Sequence, residues 1–205
     1  MDAKLYQLKV SLIGTTPTIW RQFVVPASIT LDRLHDVLQI VMGWEDSHLH
    51  EFSFSKKRFT EQPEDNSQGE EEGLYRLNEL LKRKGNKLTY LYDFGDSWEH
   101  EILLENGNYK SDEFDAPLLC LDGERACPPE DCGGVPGYEN LLGILQDPTH
   151  EDYEETLEWL GIPAELLEVA PEDIFAAFDA DEVNGSLMLY ARWSRDRYQP
   201  WFDEK

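Results

Sequence analysis

Tyr92-Asp93-Phe94-Gly95-Asp96-Ser97-Trp98-Glu99-His100-Glu101-Ile102-Leu103-Leu104-Glu105 decides the reading of the fold. From Trp98 the residues alternate. Trp98, His100, Ile102 and Leu104 fall on one face, and Glu99, Glu101, Leu103 and Glu105 on the other, which is the period of a half-buried strand. Ahead of the turn, Leu88, Tyr90 and Tyr92 alternate with Thr89, Leu91 and Asp93. Two strands therefore meet across Asp93-Phe94-Gly95-Asp96 as a hairpin. Gly95, without a Cβ, is expected to supply the positive φ of that turn.

Working back toward the start, Tyr6, Leu8, Val10 and Leu12 mark a first strand. Gly14-Thr15-Thr16-Pro17 turns it into a second, antiparallel strand over Ile19 to Val25, closed by Pro26. Trp20-Arg21 reads as a packing pair with the cation over the indole. Thr30 is placed as the N-cap of a helix whose stripe is Leu31, Leu34, Leu38 and Val41, with Gly43 as its stop. His48, His50, Phe52 and Phe54 share one face of the next strand. The segment 61–73 is acidic and nearly free of apolar residues, so it is expected to be a solvated loop. Leu77, Leu80 and Leu81 give a short helix before Gly85.

Beyond the hairpin, 106–116 is polar and Pro117 to Leu121 suits a short strand. Asp122 to Tyr138 is a Gly- and Pro-rich loop. After it the period turns helical: Tyr138, Leu141, Leu142 and Leu145, then Tyr153, Leu157 and Leu160, then Ile174, Phe175 and Phe178. Ser186 to Trp193 fits a strand or a helix equally. The expectation is a single α+β domain over 1–205. It has a twisted antiparallel sheet with a flanking N-terminal helix (1–135), a helical C-terminal region (136–185) and a tail (186–205).

The formal net charge is −24, with 42 acidic against 18 basic residues. No basic stripe interrupts it, so DNA binding is not expected. No apolar run reaches the roughly 18 residues that span a bilayer. Met1-Asp2-Ala3-Lys4-Leu5-Tyr6 lacks a charged-then-apolar leader, and the three cysteines are an odd number. A reduced, cytoplasmic protein outside the membrane is the expectation.

Several blocks together resemble the plasmid pRiA4b ORF-3-like family. They are Ile19-Trp20-Arg21, the helix from Leu31 to Trp44, His48-Leu49-His50-Glu51-Phe52, and Tyr92-Asp93-Phe94-Gly95-Asp96 with Trp98 and His100. Cys127-Pro128-Pro129-Glu130-Asp131 with Gly133 and Gly134 follows, then Glu158-Trp159-Leu160-Gly161. The resemblance implies an α+β fold and no established activity. Some members are labelled insertion-sequence passenger proteins or resolvases, which implies an association with mobile genetic elements. No recombinase-like serine motif is present in this sequence.

Two kinds of chemistry are open. The histidines His48, His50 and His100 stand at strand positions, and a His-x-His pair places both imidazoles on one face about 7 Å apart. If a neighbouring strand brings His100 to them, the three form a zinc site with an open fourth position, and Asp93 or Asp96 is beside it. That would make a metal-dependent hydrolase. The other reading is structural: the histidines are core residues with satisfied ring nitrogens, and Asp93 and Asp96 are turn residues. Cys120, Cys127 and Cys132 lack the paired knuckles of a structural zinc site, and Cys127 and Cys132 read as small buried hydrophobes. Arg125 is expected to pair with Glu124, Glu130 or Asp131 within its loop. With every polar motif structurally explained, the leading expectation is a non-catalytic interaction or accessory module without a cofactor. It would meet a protein partner through the sheet and the Cys127-Pro128-Pro129 loop.

Overall fold

The long strand that begins at Trp98 organises the molecule. In the computed structural model, which describes residues 4–63, 69–110, 117–162, 175 and 177–193, eight strands form one sheet. They are β1 (Leu5–Leu12), β2 (Trp20–Pro26), β3 (His50–Phe54), β4 (Lys57–Thr60), β5 (Glu70–Glu71), β6 (Lys87–Tyr92), β7 (Trp98–Tyr109) and β8 (Leu119–Glu124). Their spatial order is β5-β4-β3-β6-β7-β1-β2-β8, antiparallel except for the two-residue β4–β5 pairing. The fold is α+β.

Register explains the core. Leu88 faces Ile102, Tyr90 faces His100 and Tyr92 faces Trp98 across β6–β7. Val10 and Leu12 face Ile102 and His100 from β1 on the other side. These side chains fall on one face of the sheet and are buried, whereas Glu99 points to solvent. Each large apolar group so covered contributes about 2–3 kcal/mol. Helix α1 (Leu31–Met42) lays its stripe on this face, with Leu31, Leu34, Val37, Leu38 and Val41 buried, and ends at Gly43 with φ +104.

Several local expectations change. Thr30 is extended but makes no side-chain cap; it forms an isolated bridge with Arg76 instead. Arg21 is buried and stands over Phe178 rather than Trp20, 4.2 Å from the ring centroid. Its guanidinium donates to the carbonyls of Val41 (2.8 Å) and Met42 (3.4 Å) at the end of α1, and to Trp20 and Glu124. Trp20 takes Lys9 over its ring. In the β6–β7 turn the left-handed residues are Asp93 and Ser97 (φ 55 and 58), not Gly95. Asp93 tolerates this because its Oδ1 accepts the Gly95 N–H at 2.8 Å. Strand β7 runs on through Asn106 to Tyr109, into the stretch whose polarity had marked no element.

Short helix α2 covers Leu77–Leu80. Helices α3 (Gly134–Gln146) and α4 (Tyr153–Trp159) follow the expected apolar periods. The division drawn at 186 runs through a helix, α5 (Ala180–Trp193). This helix packs back on the sheet: Asn184 exchanges two hydrogen bonds with the Cys120 backbone of β8, and Tyr190 donates to Asp36 of α1. Of the helix expected at Ile174, Phe175 and Phe178, Phe178 lies in an irregular stretch ahead of α5; Ile174, the stretch 64–68 of the acidic loop, 111–116 and the chain beyond Trp193 lie outside the described residues. Among the described residues no helix is long and apolar enough to cross a membrane.

Candidate functional site

His48, His50 and His100 do not converge on one point. Each ring has its own partners. His100, on β7, is fully buried; its Nδ1 faces the carbonyls of Trp98 (3.0 Å) and Tyr90 (3.3 Å), and its Nε2 faces Trp44 Nε1 (3.2 Å). The indole N–H can only donate, so Nε2 accepts and the proton sits on Nδ1. Burial pushes its pKa down to about 4. Its lone pair is already used, so it is no metal ligand. His50 and His100 do lie on the buried face of the sheet, but β6 and its tyrosines stand between them, and His48 falls in a bend before β3 rather than on the strand expected for it.

His50 lies flat on His35 of α1, with ring centroids 3.6 Å apart and planes 6° from parallel. Its Nε2 contacts both oxygens of Glu72, at 2.9 and 3.1 Å. Gln39 donates to the Tyr90 hydroxyl at 2.8 Å, which leaves that hydroxyl's proton for His35 Nδ1, also at 2.8 Å. His35 Nε2–H then donates to Asp46 Oδ1 at 2.8 Å. Burial, then the neighbouring His50, lower the His35 pKa to about 4. Glu72 is only 2% exposed, and burial raises its pKa although His50 opposes this. The sequence placed Glu72 in a solvated loop. Residues 70–74 instead return to the sheet as β5 and a 3-10 turn, carrying this carboxylate onto His50. No local pattern signals the pairing.

This network forms the wall of a cleft of about 560 Å³. Six carboxylates line it, from Asp32, Asp36, Asp46, Glu61, Glu71 and Glu72, with no lysine or arginine among the lining residues. Leu49 stands on its lip, 65% exposed. The Asp93 N–H donates to the Leu49 carbonyl at 2.9 Å, tying the β6–β7 turn to the segment before β3.

His48 is at the same mouth. Its Nε2 lies 3.2 Å from Asp131 Oδ1, 3.5 Å from Glu130 Oε2 and 3.7 Å from Asp93 Oδ2. The loop after β8 delivers Glu130 and Asp131, and two contacts pin that loop to the hairpin turn. Asp96 Oδ2 accepts the Gly133 N–H at 3.0 Å, and Gly134, at φ +67, abuts the Asp96 carbonyl closely enough to leave no room for a Cβ. Asp93, Asp96, Glu130 and Asp131 thus belong to one rim, which the sequence had scattered over two blocks. Arg125 does not join it; no ion pair links it to Glu124, Glu130 or Asp131 among the described residues. Cys120, Cys127 and Cys132 are free thiols. Burial raises all three, Cys120 to about 11 and Cys132 to about 12, with Cys127 also well up, so they remain protonated hydrophobes.

Residues 4–184 match the family described as "Plasmid pRiA4b ORF-3-like protein". The chain is 40% identical over 198 residues to "Uncharacterized protein y4hQ" of Sinorhizobium fredii (strain NBRC 101917 / NGR234), covering 95% of this chain and 97% of that one. It is also similar to a crystal structure titled "Protein of Unknown Function MM3350 from Methanosarcina mazei Go1". The identity is 35% and the TM-score 0.74, over 89% of this chain and 98% of the other. The turn that carries Asp93 and Asp96, the loop that carries Glu130 and Asp131, and the histidine-bearing segment all fall inside the matched span, and this chain belongs to the plasmid pRiA4b ORF-3-like family.

Proposed function

We propose that the protein is a non-catalytic recognition module that takes a cationic group of a protein partner, an arginine or lysine side chain, into the histidine-walled cleft. The observation that carries this reading is the lining: six carboxylates and no lysine or arginine among the described lining residues. Such a surface repels phosphates and attracts guanidinium or ammonium groups. Exposed Leu49 on the lip supplies apolar contact for residues flanking the cation, as a peptide-binding rim requires. The wall itself is rigid, because His35, His50, Tyr90, Gln39, Asp46 and Glu72 satisfy one another. An accessory role of the kind associated with mobile elements agrees with this reading, as a partner protein would supply the basic segment.

Titration calorimetry with a short Leu-Arg-rich peptide, against its Leu-Glu counterpart, tests it. The basic peptide should bind and the acidic one should not. Asp46→Asn with Glu71→Gln should weaken binding about tenfold or more, with a steep salt dependence. Equal affinity for both peptides, or no loss in the double variant, overturns the reading.

A further inference from the structure

We infer that His48, Asp93 and Asp131 form a binding site for a divalent first-row metal ion, bordered by Glu130. This site shares His48 with the cleft lining, but its carboxylates are not among the six that line the cleft, and it rests on different observations.

The first is spacing. Among the described residues these three bring their ligand atoms within 4.8 Å of one another. His–carboxylate hydrogen bonds elsewhere in the molecule set the scale: His35 to Asp46 is 2.8 Å and His50 to Glu72 is 2.9 Å. His48 Nε2 has no such partner. It faces three carboxylate oxygens at 3.2, 3.5 and 3.7 Å instead. Metal bonds of about 2.1 Å put neighbouring ligands about 3.0–3.4 Å apart in octahedral or tetrahedral geometry. The His48–Asp131 distance lies in that range, and the other two lie just outside it.

The second is satisfaction. His48 Nε2 and Glu130 Oε2 are both shut off from solvent and both lack a hydrogen-bond partner. Buried polar atoms are rarely left so. A cation between them would satisfy both and offset the mutual repulsion of the carboxylates.

The third is the division of labour within each carboxylate. Asp93 spends Oδ1 on the Gly95 N–H and turns Oδ2 toward His48. Glu130 spends Oε1 on the Glu45 N–H (2.9 Å) and the Tyr92 hydroxyl (3.0 Å), and turns Oε2 toward His48. One oxygen is anchored while the other is offered, which is how outer contacts orient metal-binding carboxylates. One imidazole with oxygen ligands suits Mn²⁺ or Zn²⁺. Asp131 is 73% exposed at its side chain, so the site opens to solvent on that side.

Calorimetric titration of the metal-free protein with Zn²⁺ tests this, alongside Mn²⁺ broadening of the histidine NMR signals. We expect one ion per chain with a dissociation constant of about 10 µM or tighter. His48→Ala and Asp93→Asn should each weaken it at least thirtyfold, while His150→Ala, at an exposed histidine beside Asp152, stays within threefold. In the wild type, substoichiometric Mn²⁺ should broaden the His48 ring signals before those of His150 and His100. This readout stands even if a variant fails to fold. Binding absent at millimolar Zn²⁺, binding retained in His48→Ala, or broadening that begins at His150 would each overturn the assignment.

Discussion

His48 and His50 are two residues apart, the one in a bend and the other at the start of β3, and their surroundings differ. His50 is stacked on His35 and hydrogen-bonded to Glu72. His100, across β6, is likewise complete: its ring nitrogens face the Trp44 indole and the Trp98 and Tyr90 carbonyls. His48 faces three carboxylates at 3.2 to 3.7 Å with no hydrogen bond formed to its Nε2, on a rim assembled from the β6–β7 turn and the loop after β8. A buried polar group whose partners are complete is a structural element. One whose partners are missing points to a ligand. This difference, rather than the number of histidines, separates scaffold from site.

Acid should divide the two regions most sharply. His35 and His100 are held to about 4, below the ordinary histidine value of 6.5. His35 is faced by Asp46, Asp32, His50 and Tyr90, and His100 by Trp44 and Tyr90. Between pH 6.5 and 4 the unfolded chain takes up protons that the folded core refuses. Stability therefore falls as pH falls through that window, by up to about 1.4 kcal/mol per pH unit for each group. Urea unfolding at pH 7 and pH 5 measures it. His100→Gln should flatten the slope and His48→Ala should not; a flat wild-type profile would contradict the assignment of neutral core histidines.

Truncation comes next. His100→Ala leaves a cavity and strands the Trp44 N–H, at a cost of about 3 kcal/mol. His48→Ala in metal-free buffer should change stability by less than about 1 kcal/mol. Comparable losses in thermal melts of the two variants would erase the distinction drawn here.

Backbone substitutions at the rim give the smallest effects. Gly134→Ala adds a Cβ against the Asp96 carbonyl at a left-handed position, at a cost of about 2 kcal/mol. Gly95→Ala should cost only about 0.5 kcal/mol, since Gly95 is not left-handed and its Cβ would meet only Asp93 Oδ1 at 3.2 Å. A larger loss at Gly95 would show that this turn, rather than the Gly134 contact, holds the rim.

Much of the scaffold was legible because strand and helix periods are local. Tyr6 to Leu12, Trp98 to Leu104 and Leu31 to Val41 each carry their buried face in the spacing of apolar residues. Glycine at the end of α1 was legible for a similar reason, since a left-handed residue favours glycine. The partners of polar atoms were not legible. Arg21 ends on the carbonyls of α1 rather than on Trp20 beside it. Glu72 leaves an acidic segment for a histidine 22 residues away.

The sequence by itself determined the α+β class, the hairpin at Asp93 to Asp96, the amphipathic first helix and the acidic surface, since each follows from residue type and period over a few positions. Only the tertiary structure decided that β6 stands between His50 and His100, that Glu72 is a core carboxylate, and that Asp93, Glu130 and Asp131 gather around His48. Strand order and loop docking join residues 22 to 83 positions apart, and over that separation side-chain chemistry carries no record of its partner until backbone pairing brings the two together.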